Sequence, residues 1–270
     1  MRVALTIAGS DPTGGAGLQA DLKTFAAFGV YGVSAATAIT VQSTAGVIET
    51  AAVSADLVTG QIEAVAGDID VHAAKTGMLG TAAIVEAVAG TVKELDLPLV
   101  VVDPVLASGR GDRLLDDDGV RMLCAELLPL ARVVTPNIPE AEVLSGQRIE
   151  SDEDVREAAR RIHGMGAAAV LITGGHRRPT ASQQSLDVVD LLFDGHRFLE
   201  FRTARVDTAG THGTGCTFAA AVAACLALGR PLADAAERGQ RYVAGAMRNQ
   251  LAIGRGQALL DHFWGGILKE

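Results

Sequence analysis

The side chains in this sequence that could do chemistry are gathered in a few short, small-residue stretches. In DTAGTHGTGCTF, residues 207–218, Gly210-x-x-x-x-Gly215-Cys216-Thr217 is a phosphate-loop pattern with cysteine where lysine belongs. A P-loop needs that lysine on the phosphates, so that reading is poor. What stays is a run of small residues, Thr211, Gly213, Thr214 and Gly215, leading into an alanine-rich helix. A helix start of this kind offers free amide N–H groups and a dipole that favour an anion. Cys216 falls in the first turn, where the same field is expected to lower a thiol pKa and favour thiolate. Cys124 and Cys225 read instead as small core residues.

A second glycine-rich stretch is AGSDPTGGAGLQAD, residues 8–21. Gly15-Ala-Gly17-Leu-Gln-Ala20 meets the loose dinucleotide fingerprint, which also wants an acid about 20 residues on. No Asp or Glu occurs between Asp21 and Glu49, and the second strand ends in Gln42 instead. The loop is therefore read as backbone that approaches a ligand closely. Two acids follow at strand ends, Asp103 in VVVDPV and Glu140 in TPNIPEAE. They are hard oxygen donors suited to Mg²⁺ carried in by a nucleotide. Asp103 follows four apolar residues, so its charge needs a partner; Glu140 is equally an ordinary first-turn helix acid. LITGGH, residues 171–176, ends a strand in a turn that suits a nucleotide or is a plain turn. None of the six histidines shows metal spacing. His72, His163, His196 and His262 read as surface or satisfied core residues, and His212 lies inside the anion-loop candidate.

These residues must be positioned by alternating strands and helices. Val3–Ala8, 33–41, Ala73–Thr76, Leu99–Val102, Val133–Thr135 and Ala168–Thr173 read as strands. Helices are expected over Gly17–Phe28, Ala55–Ala66, Thr81–Leu95, 213–228 and 232–251, from apolar recurrence every three or four residues. In Ala55–Ala66 the inward positions are read as Leu57, Ile62 and Val65, and Thr81 is expected to cap the third helix. Asp194-Gly195 between two alternating runs predicts a hairpin. Strand–helix alternation over nearly the whole chain implies one α/β domain, residues 1–270, with a mainly parallel sheet and its ligands at the strands' carboxyl ends.

Composition narrows the class of function. The 270 residues carry 31 glycines, 49% hydrophobic residues and a net charge of −9. Mean hydropathy of +0.27 excludes a disordered chain. The acidic balance argues against a nucleic-acid surface but not against a phosphate held by local amides. Apolar runs are too short for a membrane span, and Val3–Gly9 is too short for a secretion signal. Three cysteines without a CxxC pair fit a reducing cytoplasm.

Taken in order, IAGSDPTGGAGLQADLKTF, KTGML, VVDPV, TPNIPEAE, GGH and DTAGTHGTGCT resemble the hydroxymethylpyrimidine/phosphomethylpyrimidine kinases of thiamine biosynthesis, in the ribokinase-like superfamily. The resemblance covers essentially the whole chain and implies a three-layer α/β/α sandwich. It implies two ATP-dependent transfers, onto 4-amino-5-hydroxymethyl-2-methylpyrimidine and then onto its monophosphate. Gly9, Asp21, Gln42, Met78 and Val105 would line the pyrimidine pocket, with Asp21 accepting from the ring amine. Asn137, Thr173, Gly175 and Thr211 would meet ATP, and Asp103 and Glu140 would hold Mg²⁺. The amides of Gly213, Thr214, Gly215 and Cys216 would take the γ-phosphate, with Cys216 as general base. A homodimer is implied, with apolar residues around 31–48 as its interface. Many members carry Lys where this chain has Thr173, so Arg177 or Arg178 is expected to supply that charge. Pyridoxal or pyridoxine kinase, sharing fold and ATP site, is the alternative within the superfamily.

Overall fold

The structure, a computed structural model, describes residues 1–108, 111, 113–176, 187–208 and 212–266. Nine strands form one continuous sheet: β1 (Val3–Ser10), β2 (Tyr31–Ser43), β3 (Gly46–Ala52), β4 (Ala73–Thr76), β5 (Val100–Val102), β6 (Val133–Val134), β7 (Val170–Ile172), β8 (Asp187–Phe193) and β9 (Phe198–Ala204). Their order is β3-β2-β1-β4-β5-β6-β7-β8-β9. The run from β2 to β7 is parallel, while β3, β8 and β9 are antiparallel additions at the two edges. β5 to β7 are short apolar segments, and β4 to β7 are all buried, as parallel strands covered by helices on both faces must be.

Side-chain alternation along these strands divides the core between two layers. Val100, Val102, Val134, Val170 and Ile172 face α2 (Ala55–Asp68), α3 (Ala82–Glu94), α5 (Ile138–Ser145) and α6 (Asp152–His163). Val101, Val133 and Leu171 face the opposite layer, built from α1 (Gly17–Ala27), α7 (Thr214–Ala227) and α8 (Leu232–Arg248). The short α4 (Asp117–Met122) completes the first layer. Every residue from Thr217 to Ala227 is buried, Cys225 among them. The methyl side chains of α7 let its backbone lie close to the sheet, which matters because its first turn carries Cys216. Thr81 caps α3 as expected, accepting from the Ile84 amide at 3.3 Å. The predicted hairpin forms, with Gly195 at φ 87° in its turn.

Two expectations need correction. Leu57 does not face the core: it is 59% exposed, and Val58 takes the inward position. Val58, Ile62 and Val65 are spaced by four and three, a helical stripe that Leu57 does not share. The antiparallel β3 was not anticipated, because Gly46–Ala52 is an edge strand with no buried residue to set a pattern. Among the described residues, no helix is long and apolar enough to cross a membrane.

Candidate active site

A cavity of about 400 Å³ opens at the carboxyl ends of the parallel strands, lined by residues that follow β1, β4, β5, β6 and β7. Its floor begins with the loop after β1. Asp11 is 4% exposed and organises that loop. Its Oδ1 accepts from the Thr13 amide at 2.9 Å and the Thr13 hydroxyl at 2.8 Å. Its Oδ2 accepts from the Ala16 amide at 3.0 Å and lies 3.0 Å from His212 Nε2. Two glycines let this loop dock. Gly17 has φ +58°, and a Cβ there would lie 2.3 Å from the Gly9 carbonyl oxygen. Gly213 has φ +80°, and its Cβ would fall 1.8 Å from the Gly15 carbonyl oxygen. Only glycine permits both the conformation and the approach. The loop before α7 is thereby pressed against the loop before α1.

One side of the cavity presents Gly9, Gln42, Met78 and Val105. Gly9 exists to admit Met78, since a Cβ would meet the Met78 terminal methyl at 2.4 Å. The Met78 carbonyl accepts from the Thr37 hydroxyl at 2.6 Å. Asp21 is not with them. It is fully buried beneath the cavity, accepting from the Thr6 hydroxyl at 2.6 Å and from Lys75 Nζ at 2.9 and 3.1 Å. It does not line the cavity, and its oxygens face the Thr6 hydroxyl and the Lys75 ammonium.

Lys75 is the residue that sequence reading missed. It has no exposed surface, pairs with Asp21, and stands 3.6 Å from Asp103 Oδ2. Burial disfavours its charge, but Asp21, Cys216 and Asp103 outweigh this and hold its pKa above the ordinary value. A charged residue inside the short buried run Ala73–Thr76 was the available signal.

Across the cavity, Asn137 and Glu140 close a capping box at the start of α5. The Glu140 amide donates to Asn137 Oδ1 at 3.0 Å, and the Asn137 amide to Glu140 Oε2 at 2.9 Å. Glu140 is therefore both the first-turn helix acid and a cavity residue. Burial and the nearby Asp103 charge push its carboxyl up to about 8. Asp103 Oδ2 is buried with no hydrogen-bond partner. Two desolvated carboxylates that repel each other, one with an oxygen that accepts no hydrogen bond, fit a hard divalent cation. Among the described residues no cluster of three or more metal-ligating side chains exists, which suits an ion that keeps other ligands.

Thr173 also lines the cavity; Gly175 is exposed and does not. The Gly174 amide donates to buried Asp190 at 2.8 Å, and Arg205 donates to the Gly175 carbonyl at 3.0 Å. Thr211, Arg177 and Arg178 lie outside the described residues.

Gly213, Thr214, Gly215 and Cys216 line the remaining wall, with Gly213 capping α7. The Cys216 thiol is not poised as thiolate. Burial pushes its pKa up to about 12; Lys75 and the Gly17 amide oppose this, while Asp103 and Asp21 add to it. The helix-terminal field expected to lower it is thus outweighed by desolvation together with the charges of Asp103 and Asp21. Burial also raises the thiols of Cys124 and Cys225. Iodoacetamide at pH 7.5 should therefore label Cys216 slowly, with the rate rising about tenfold per pH unit while the protein stays folded. Intact-mass kinetics checks this, and rapid stoichiometric labelling of Cys216 at pH 7.5 would contradict it.

The family profile described as phosphomethylpyrimidine kinase matches residues 11–261. The chain belongs to the phosphomethylpyrimidine kinase family. It is 45% identical to the hydroxymethylpyrimidine/phosphomethylpyrimidine kinase of Rhizobium meliloti, over 97% of each chain. It is 47% identical to the thiamine biosynthesis bifunctional protein ThiED of Geobacter sulfurreducens, over 96% of this chain, and spans 51% of that longer protein. Among solved structures, an ADP complex of Bacillus subtilis pyridoxal kinase aligns with a TM-score of 0.87 at 38% identity, over 97% of each chain. The phosphomethylpyrimidine kinase of Clostridium difficile 630 aligns with a TM-score of 0.80 at 37% identity, over 92% of this chain and 100% of that one. As a phosphomethylpyrimidine kinase family member the chain is a phosphotransferase, and the ribokinase-like fold expected from its motifs is the one observed.

Proposed function

We propose that this enzyme phosphorylates the hydroxymethyl group of 4-amino-5-hydroxymethyl-2-methylpyrimidine with ATP, then converts the monophosphate to the diphosphate, for thiamine biosynthesis. The observation that carries the reading is one cavity joining an apolar wall with Gln42 to the helix start at Gly213–Cys216. An aminopyrimidine edge offers a donor beside an acceptor, which a glutamine amide answers with both of its groups. Met78 and Val105 supply the ring's apolar walls, and Gly9 lets Met78 close on it. ATP use is supported by the ADP complex of the pyridoxal kinase. Asn137, Thr173 and Gly175 are assigned to the nucleotide, as is Thr211.

Phosphoryl transfer is mainly positioning and charge stabilisation. The amides at the start of α7 face the charge that develops on the transferred group. Asp103 and Glu140 are assigned to Mg²⁺, which when bound would neutralise phosphate charge and the two carboxylates together. Cys216 receives the hydroxyl proton as general base. Lys75 partly offsets the burial that disfavours the thiolate this requires. We assign the exposed apolar side chains Tyr31, Ile39, Val41, Val47 and Ile48, on the β2–β3 hairpin, to a homodimer contact. Three unpaired thiols favour the cytoplasm as its compartment.

Mass spectrometry of products from ATP and the hydroxymethylpyrimidine should show mono- and then diphosphate. Pyridoxal run alongside tests the second reading, which the similarity to pyridoxal kinase favours. Phosphorylation of pyridoxal alone would overturn the assignment.

A further inference from the structure

The hydrogen bonds around Gln42 decide which way its carboxamide faces. In one orientation, Nε2 lies 3.4 Å from His212 Nε2, and Oε1 lies 3.1 Å from the Thr40 hydroxyl. Both contacts are then poor. His212 Nε2 is also 3.0 Å from Asp11 Oδ2. An ionised carboxylate only accepts, so that ring nitrogen carries a proton and cannot accept from an amide NH₂. Burial raises the Asp11 pKa, but bonds from His212 and Thr13 outweigh it and keep the carboxyl below the usual range. The Thr40 hydroxyl also meets the Ser10 carbonyl at 2.9 Å, so Gln42 Oε1 would only share its one proton.

Half a turn of the amide removes the meeting of two donors at His212. The His212 Nε2–H donates to Asp11 at 3.0 Å, with Gln42 Oε1, 3.4 Å away, as a second acceptor sharing the same proton. Gln42 Nε2 donates to Thr40 Oγ1, and the Thr40 proton stays on the Ser10 carbonyl. Oxygen and nitrogen of an amide are told apart by such networks rather than by shape. The imidazole itself is held, because its Cδ2 packs on Gly15, 3.0 Å from where a Cβ would stand.

We propose that His212, braced by Asp11, and Thr40 act as positioning residues that lock the Gln42 carboxamide, so that the pocket accepts a 4-aminopyrimidine edge and rejects the 4-oxo edge. The inference rests on Gln42 reading the pyrimidine, as proposed above. A 4-amino ring shows an NH₂ donor beside a ring-nitrogen acceptor; a 4-oxo ring shows a carbonyl acceptor beside an N–H donor. A freely turning amide pairs with either by flipping. A locked one leaves the wrong edge facing donor to donor and acceptor to acceptor, and unpaired buried polar groups give strong discrimination. His212 also precedes Gly213 directly, so the brace belongs to the loop that carries the phosphoryl-binding amides.

His212→Phe keeps the ring's packing and removes its N–H, while Thr40→Val keeps shape and removes the hydroxyl. The readout is kcat/KM for 4-amino-5-hydroxymethyl-2-methylpyrimidine divided by that for its 4-oxo analogue. In H212F this ratio should fall at least about tenfold, with kcat on the amino substrate largely kept and KM raised. The double variant T40V/H212F should fall further. Equal loss on both substrates, leaving the ratio unchanged, would show a merely structural role and overturn the proposal. If H212F does not fold, T40V alone carries the same ratio test. Independently of turnover, ¹⁵N NMR of the wild-type protein should find His212 Nε2 protonated; an unprotonated Nε2 overturns the orientation. A wild type inactive on both pyrimidines with Nε2 protonated would refute the substrate assignment and leave the bracing network standing.

Discussion

Replacing Lys75 with methionine is expected to lower the unfolding free energy by about 3–5 kcal/mol, the cost of leaving buried charge without its counter-ion. Lys75 and Asp21 have no solvent exposure, and Asp103 stands beside them. Methionine fills a similar volume, so little of the loss comes from a cavity. Denaturant titration should show a lower midpoint with an unchanged slope. Adding Asp21→Leu to Lys75→Met should recover part of the loss, because the stranded carboxylate goes with its partner. The pair's contribution also has a pH signature. The folded Lys75 pKa lies above the ordinary lysine value of 10.5. Its stabilisation is therefore complete below about 10.5 and is lost as pH climbs toward the folded value. A Lys75→Met protein within about 1 kcal/mol of wild type would mean that the pair carries little stability.

Cys216→Ala should lower kcat by about 100- to 10,000-fold, the range associated with a positioned general base. KM for the hydroxymethylpyrimidine should stay close to wild type, since the pyrimidine is assigned to Gln42, Met78 and Val105, which line the cavity apart from Cys216. In the wild type, kcat should climb with pH, because the thiol must lose its proton and the site holds that proton tightly. Steady-state rates with ATP across pH 6–9, roughly the range where the fold is stable, would check both statements. Near-normal turnover in C216A would remove Cys216 from the chemistry and leave the α7 amides as its main source.

The sequence shows most strands because β5 to β7 are apolar runs bounded by turns, and α1 and α7 because small and apolar residues recur at helical spacing. It does not show β3, where Gly46–Ala52 faces solvent and no burial imposes alternation. Leu57 was misread because one apolar side chain adjoins another in the chain, and only contact with the sheet selects Val58. Asp103 and Glu140 are legible as acids at strand ends and Gly213–Cys216 as a helix start, whereas Gly9, Met78 and Val105 follow only from the family resemblance. Asp21 was misplaced for a different reason. Its motif position resembles a ligand-binding one, while its partner, Lys75, is 54 residues away and three-dimensional proximity alone reveals the pair. The Cys216 pKa depends on the same hidden cluster, so local reasoning about a helix terminus gave the wrong direction.

Asp11 and His212 are separated by 201 residues, and Gly213 seats itself on Gly15 across a similar interval. A chain emerging from its N-terminus thus makes the first loop long before its partner exists. Closing so large an interval is entropically costly, and such contacts form late. The pocket floor and the phosphoryl loop become one surface only when the last third of the polypeptide has been laid against the first strand. A product truncated before α7 would lack the phosphoryl loop and most of the helices that cover one face of the sheet, so activity itself reports that synthesis and folding have reached completion.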